Sequence, residues 1–201
     1  MDNWTPAYAG VTAKTQIRTV IKILAISGSI RAASTNSALL RAAAEAAPQG
    51  VEVRLYEDLS SLPLFNPDHT ENLPPAAAEL RRLAISCDGL LISSPEYAHG
   101  VPGGMKNALD WMVGWGELAF KPVALYNTSP YGEHAKAALA EILVTMSLRL
   151  VPEAALTVRL RGSKPEEAAP KLATPEVRAS LRRSLEAFAR TIELLRKGEE
   201  T

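Results

Sequence analysis

Cysteine is almost missing from this chain: Cys87 is the only one among 201 residues. An internal disulfide is thereby excluded, and so is any metal site built from a cluster of cysteines. The expected role for Cys87 is that of a small buried hydrophobe, not a nucleophile. Aromatic residues are scarce, at 5% of the chain, which leaves little for the stacking platforms that hold single-stranded nucleic acid. Neither charge is in excess, with 22 Lys and Arg against 22 Asp and Glu. That balance excludes a generally polybasic binder of nucleic acid or membrane surfaces, though not a local basic site. No window approaches the ~20 apolar residues of a membrane span. Residues 1–18 lack the basic stretch and apolar run of a secretory leader, so a cytoplasmic setting without nucleic-acid or membrane partners is expected.

Apolar residues, in contrast, make up 47% of the chain, enough for a sizeable core in one domain of ordinary size. Residues 1–17 mix Pro6, Gly10, several threonines, Trp4 and Tyr8 without period, and are expected to form a poorly ordered extension. Packing of Trp4 and Tyr8 onto a neighbouring subunit is the alternative. The domain is expected over residues 18–197, with a tail at 198–201. Its last helix should open at Thr174-Pro175-Glu176, which supplies an N-cap, an N1 proline and an early carboxylate. It should stop at Gly198, after Arg196 and Lys197. The arginines along it read as a solvated face interleaved with Glu176, Glu186 and Glu193.

Between the ends, apolar runs alternate with helical patterns. Residues 20–26 are a nearly continuous β-rich run, as suits a strand covered on both faces. Val51, Val53 and Leu55 alternate with polar residues, and further strands are expected at residues 89–93, 122–126 and 155–158. Helix patterns occupy roughly residues 36–47, 75–86, 105–112 and 135–148, and a proline-rich loop fills 59–75. Strands separated by helix-length segments imply βαβ units, a parallel sheet and right-handed crossovers. The expected class is α/β: a flavodoxin-like, doubly wound, five-stranded parallel sheet of order 2-1-3-4-5 with helices on both faces.

In such a sheet the loops after strands 1, 3 and 4 share one edge, and here those loops have unusual composition. The first, Ser27-Gly28-Ser29-Ile30-Arg31-Ala32-Ala33-Ser34-Thr35-Asn36, combines hydroxyls, an amide and a guanidinium with a helix start. That set suits a terminal phosphate. It is neither the G-x-G-x-x-G of a dinucleotide fold nor a Walker loop. The same residues also read as a plain helix cap beside a solvated arginine. The second loop, Ser94-Pro95-Glu96-Tyr97-Ala98-His99-Gly100-Val101-Pro102-Gly103-Gly104, has a backbone that can lie close against a flat ligand. Lys106 and Asp110 follow it as an ordinary i, i+4 ion pair. The third loop runs from Asn127 to Gly132.

Gly28-Ser29-Ile30-Arg31 with Ser34 and Asn36, then Pro95-Glu96-Tyr97 and Pro102-Gly103-Gly104-Met105-Lys106-Asn107-Ala108-Leu109-Asp110-Trp111, resemble the NADPH-dependent FMN reductase family of flavodoxin-like quinone, chromate and azo reductases. The resemblance spans roughly Lys22 to Leu160. It implies that the first loop holds the FMN phosphate through Ser29, Arg31, Ser34 and Asn36, with Thr35 and Ser37 as helpers. It implies that Pro95, Glu96 and Tyr97 run along the isoalloxazine, with Ala98, His99 and Gly100 continuing that loop. Ala98 stands where the commonest family version has Asn, which removes a side-chain contact. Glu133-His134 stand where relatives often carry Gly-Gly, and Ser129 is the third-loop position carried over. Glu96 is expected to brace its loop by accepting backbone N–H bonds.

The implied chemistry is hydride transfer from NADPH or NADH to flavin N5, and from there to a small-molecule electron acceptor. The flavin carries it, so no catalytic side chain and no metal is required. His99 is a weak candidate for protonating a product; the alternative is a loop histidine facing solvent or a neighbouring subunit. His69 and His134 read as surface residues. Trp111 and Trp115 lie near a helix that packs at dimer interfaces in the family, with core packing in one chain as the alternative. A homodimer or homotetramer is implied. A flavodoxin-like FMN electron carrier with no NAD(P)H oxidation of its own is the rival function, against which the neutral charge counts. No basic pair for a 2′-phosphate can be located along the chain, which leaves NADPH against NADH open.

Overall fold

The computed structural model describes residues 20–160, 162–163 and 165–199. The expected extension over residues 1–17 therefore lies outside the described residues. The apolar runs form strands β1 (Ile21–Ser27), β2 (Val51–Tyr56), β3 (Gly89–Ser93) and β4 (Pro122–Asn127), followed by the two-residue strands β5 (Arg149–Leu150) and β6 (Leu156–Thr157). All pairings are parallel, in the order β2-β1-β3-β4-β5, with β6 also against β4. The helices are α1 (Thr35–Glu45), α2 (Pro75–Ser86), α3 (Gly103–Met112), α4 (Glu133–Thr145), α5 (Pro165–Leu172) and α6 (Pro175–Glu199).

The expected order holds, and the fifth strand is corrected. A single strand at 155–158 was expected; the position is instead shared by β5 beside Pro122–Val123 and β6 beside Tyr126–Asn127. Pro152 opens a 3-10 turn between them, because proline has no N–H to donate to a ladder. The short α5, with Pro170 inside it, carries too weak a pattern to be read from sequence. Helix α6 runs through Gly198 to Glu199; a glycine stops a helix by itself taking the left-handed conformation, which Gly198 does not do. Its acidic and basic residues do interleave outside, as in the Arg182–Glu186 contact at 3.2 Å.

Alternation along each strand sorts side chains into two cores. Leu24, Ile26, Leu90, Ile92, Val123 and Leu125 pack under α2 and α3. Ile23, Ala25, Leu91, Ala124 and Tyr126 pack under α1, α5 and α6. Both faces are covered over β1, β3 and β4, which is why these strands read as continuous apolar runs, whereas the edge strand β2 alternates. Trp111 and Trp115 are 2% and 7% exposed in this one chain, so both belong to its core. Cys87 is buried as well; its thiol donates to the Ala84 carbonyl at 3.2 Å, and burial pushes its pKa up.

One polar chain crosses the second core. Ser184 Oγ donates to the Ala154 carbonyl at 2.6 Å, so the 2.7 Å bond between Tyr126 and Ser184 is donated by the phenol. Burial pushes the Tyr126 pKa from 10.0 up to about 12. The folded state thus holds this proton more tightly, and its contribution is complete below pH 10 and lost as pH rises toward 12. Denaturant melts between those two pH values should show falling stability, at up to about 1.4 kcal/mol per pH unit from this residue. Tyr126→Phe should shallow that slope.

Candidate functional site

The carboxyl ends of β1, β3 and β4 open into a cleft of about 490 Å³, inside the range of small-molecule sites. The chain reaches it because a parallel sheet sends every strand-to-helix loop to one edge. Register places Ser27 beside Ser93, and Ser93 beside Tyr126, so the three loops leave the sheet at one level. Loops 1 and 2 touch at their roots. Gly28 N–H donates to the Ser93 carbonyl at 2.8 Å, and a Cβ on Gly28 would sit 2.8 Å from Ser94 Cβ. Only glycine fits there.

Ser34 caps α1, its hydroxyl accepting the Ser37 N–H at 3.2 Å. Ala38 N–H donates to the Ser34 carbonyl, which leaves the amides of Thr35 and Asn36 without intrahelical acceptors. Asn36 is 4% exposed. Its Oδ1 accepts from Ser93 Oγ at 2.9 Å and from Thr128 Oγ1 at 3.5 Å, so a ligand would meet its NH2 group. Arg31 lines the cleft and is exposed. Free helix amides, hydroxyls and one guanidinium form a donor set with the chemistry a phosphate monoester requires.

Loop 2 ends in a two-residue turn. Tyr97 and Gly100 exchange backbone hydrogen bonds at 3.2 and 2.9 Å, around Ala98 (φ 48°) and His99 (φ 59°). Positive φ at both central residues defines a type I′ turn, which favours Asn and Gly. An alanine and a histidine there hold left-handed backbone at a cost of roughly 1–2 kcal/mol each. The turn is latched to loop 3. The His99 ring stacks on His134, with centroids 4.3 Å apart and planes at 10°. Glu96 Oε2 accepts the Ala135 N–H at 2.8 Å, capping α4 from outside because Gly132 has no side chain to do so. His134 is thus exposed, yet bound to the site's own loop rather than solvated alone.

Ser29, Arg31, Ser34, Thr35, Asn36, Pro95, Glu96, Tyr97 and Ser129 all line the cleft. Ser37 does not; its hydroxyl donates to Ser27 Oγ at 2.8 Å and braces loop 1 from behind. Ala98, His99 and Gly100 form the turn beyond the lining. Sequence reading missed Ser94, Asn127, Thr128, Tyr131 and Ser163 as lining residues. The third-loop composition signalled three of these. Nothing signalled Ser163, which arrives because Val158 and Leu160 donate to the Asn127 and Thr128 carbonyls. Asn107 and Trp111, quoted above for a motif, pin the proline-rich segment: both donate to the Pro63 carbonyl at 2.9 Å. Lys106 and Asp110 form the expected pair at 2.5 Å. No group of three His, Cys, Asp or Glu suited to a metal occurs among the described residues.

With this geometry, residues 21–160 match the family described as NADPH-dependent FMN reductase. The chain belongs to that family. An NAD(P)H-dependent FMN reductase of Pseudomonas aeruginosa is 40% identical over 112 residues, covering 54% of this chain and 60% of the relative. A 2-hydroxy-1,4-benzoquinone reductase of a Burkholderia species is 38% identical over 112 residues, covering 54% and 61%. These alignments thus span about three-fifths of the relatives' length. An Oryza sativa protein named for NADPH:quinone oxidoreductase activity is 33% identical over 90% of this chain and 96% of its own. The flavoenzyme NAD(P)H:(acceptor) oxidoreductase FerB of Paracoccus denitrificans superposes with a TM-score of 0.71 at 24% identity, over 87% of this chain and 98% of that one, a likeness of fold.

The strain in the family member's second loop can be measured. Ala98→Gly or Ala98→Asn should stabilise the protein by about 1 kcal/mol, roughly 2–4 °C in Tm. Ala98→Val should lower Tm, because a β-branched residue tolerates positive φ worst.

Proposed function

We propose that this chain binds FMN in the cleft and carries reducing equivalents from NADPH or NADH to a small quinone-type acceptor. One observation carries the reading: a phosphate-type donor set at the α1 N-terminus opens onto the same cleft as the proline- and tyrosine-bearing second loop. The family membership and the relatives' FMN and quinone reductase names support it. Bound FMN supplies the hydride chemistry. The chain's residues bind and orient. Arg31 and the amides of Thr35 and Asn36 hold the phosphate, assisted by the hydroxyls of Ser29 and Ser34. Backbone from Pro95 to Tyr97 flanks the ring, with Ser129 and Tyr131 bordering it from loop 3. Glu96 holds loop 2 against the start of α4.

Residues 18–197 form the binding domain in this reading. A homodimer or homotetramer is supported by exposed apolar side chains, with Leu64, Phe120, Tyr131 and Ile30 each at least 68% exposed. No helix among the described residues is long and apolar enough to cross a membrane, and the site is read as cytoplasmic.

Anaerobic mixing of the FMN-saturated protein with NADPH or NADH should bleach the flavin, and a quinone should restore it. A protein that takes up no FMN overturns the reading; one that binds FMN yet is reduced by neither nucleotide is an electron carrier. Arg31→Ala should weaken FMN binding by roughly 1.5–3 kcal/mol, the range of a hydrogen bond to a charged group, read from quenching of flavin fluorescence.

A further inference from the structure

Holding a phosphate in the cleft calls for more positive charge than Arg31 supplies. A phosphate monoester carries about −1.5 to −2 charges at neutral pH, and Arg31 is the only cation among the described residues that line the cleft. The lining carboxylate, Glu96, has the wrong sign and is engaged at α4. The chain as a whole is neutral, so no general surface field makes up the difference.

A further cation stands just behind the lining. Lys171 Nζ donates to Ser163 Oγ at 2.8 Å, and Ser163 lines the cleft. An ammonium can only donate, so Ser163 accepts in that bond and its own hydroxyl proton is left for another acceptor. The charge on Lys171 polarises the hydroxyl and makes it a stronger donor. The backbone fixes the residue in place. Ser163 N–H closes a tight turn onto the Leu160 carbonyl at 3.0 Å, with Gly162 inside it at φ 79°, a conformation that favours glycine.

The pair lies on the α1 side of the cleft. Leu160 N–H donates to the Thr128 carbonyl at 2.9 Å, and Thr128 Oγ1 donates to Asn36 in the first turn of α1. Short links thus run from Ser163 to the helix start where the phosphate-type donors gather. On the outer side, Leu172, the neighbour of Lys171, shares a groove with Ala38 and Ala42, so α5 runs alongside α1. Ala38 in turn bonds back to the Ser34 carbonyl.

We propose that Ser163 and Lys171 complete the phosphate site from the side of α5. The Ser163 hydroxyl donates to the cofactor's phosphate. Lys171 is a positioning residue, which orients that hydroxyl and adds the second positive charge. The assignment rests on the flavin reading above and extends it to two residues outside every sequence motif of the cleft.

Flavin-fluorescence titrations of the full chain with FMN, repeated across a salt series, test this. Ser163→Ala should weaken FMN binding roughly tenfold, the effect of losing a hydrogen bond to a charged group. Lys171→Met should weaken it about fivefold at low salt and less at high salt, where screening has already reduced the ammonium's pull. Lys171→Arg should restore most of the loss, and Lys171→Met should matter less in a Ser163→Ala background, because the two act as one unit. Lys171 is exposed and methionine is a good helix former, so Tm should hold in these variants. Equal FMN affinity in the wild type and both variants overturns the proposal. So does a loss in Lys171→Met that ignores salt or that Lys171→Arg fails to restore, since packing and not charge would then be at work. A wild type that takes up no FMN overturns the flavin reading and this assignment together, whereas the preceding outcomes strike the assignment alone.

Discussion

A single buried carboxamide ties the site together. Asn36 sits in the first turn of α1, and its oxygen accepts from Ser93 at the end of β3 and Thr128 just after β4. Three segments separated by up to 92 residues thus share one acceptor at the buried floor of the cleft. An unpartnered polar group so deeply buried costs several kilocalories, so each partner requires the others. The tie sets the α1 N-terminus at a defined height above the sheet. It also fixes where loops 2 and 3 begin, and hence the width of the cleft.

The outer rim is held differently. Glu96 closes loop 2 onto α4 by capping a helix whose own N-cap residue is glycine, while His99 and His134 stack across the same gap. These contacts offset the strain of a type I′ turn built from alanine and histidine. The His99–His134 stack is exposed, whereas the Glu96 bond is part-buried and the Asn36 tie beneath it is buried.

Helix α3 anchors the neighbouring ground. Asn107 receives the Phe65 N–H at 2.8 Å and donates to Pro63, and the Phe65 ring meets Trp111 edge-on at 5.1 Å. A proline-rich stretch with no regular ladder of its own is thereby fixed against the core. The motif Lys106–Trp111, which reads as a family signature, is in physical terms a clamp on that stretch. Its one charged pair, Lys106 with Asp110, is half exposed and adds little.

Periodicity and punctuation in the chain determined the main strands and helices, and with them the βαβ rhythm from which the sheet order and the single edge of three polar loops were inferred, because these depend on spacing that local chemistry enforces. Ser29, Arg31, Ser34 and Asn36 crowd around one helix start, which made the loop stand out along the chain, and the family resemblance singled out these four as candidates for a phosphate. Pairings across long separations belong to the tertiary structure alone. The split of the fifth strand depends on which β4 residues each fragment meets, and Ser163 reaches the cleft only along β6. Glu96 caps a helix 39 residues away. Lys171 stands behind the wall of the cleft that Arg31 also lines only because α5 packs beside α1, so charges far apart along the chain gather in space.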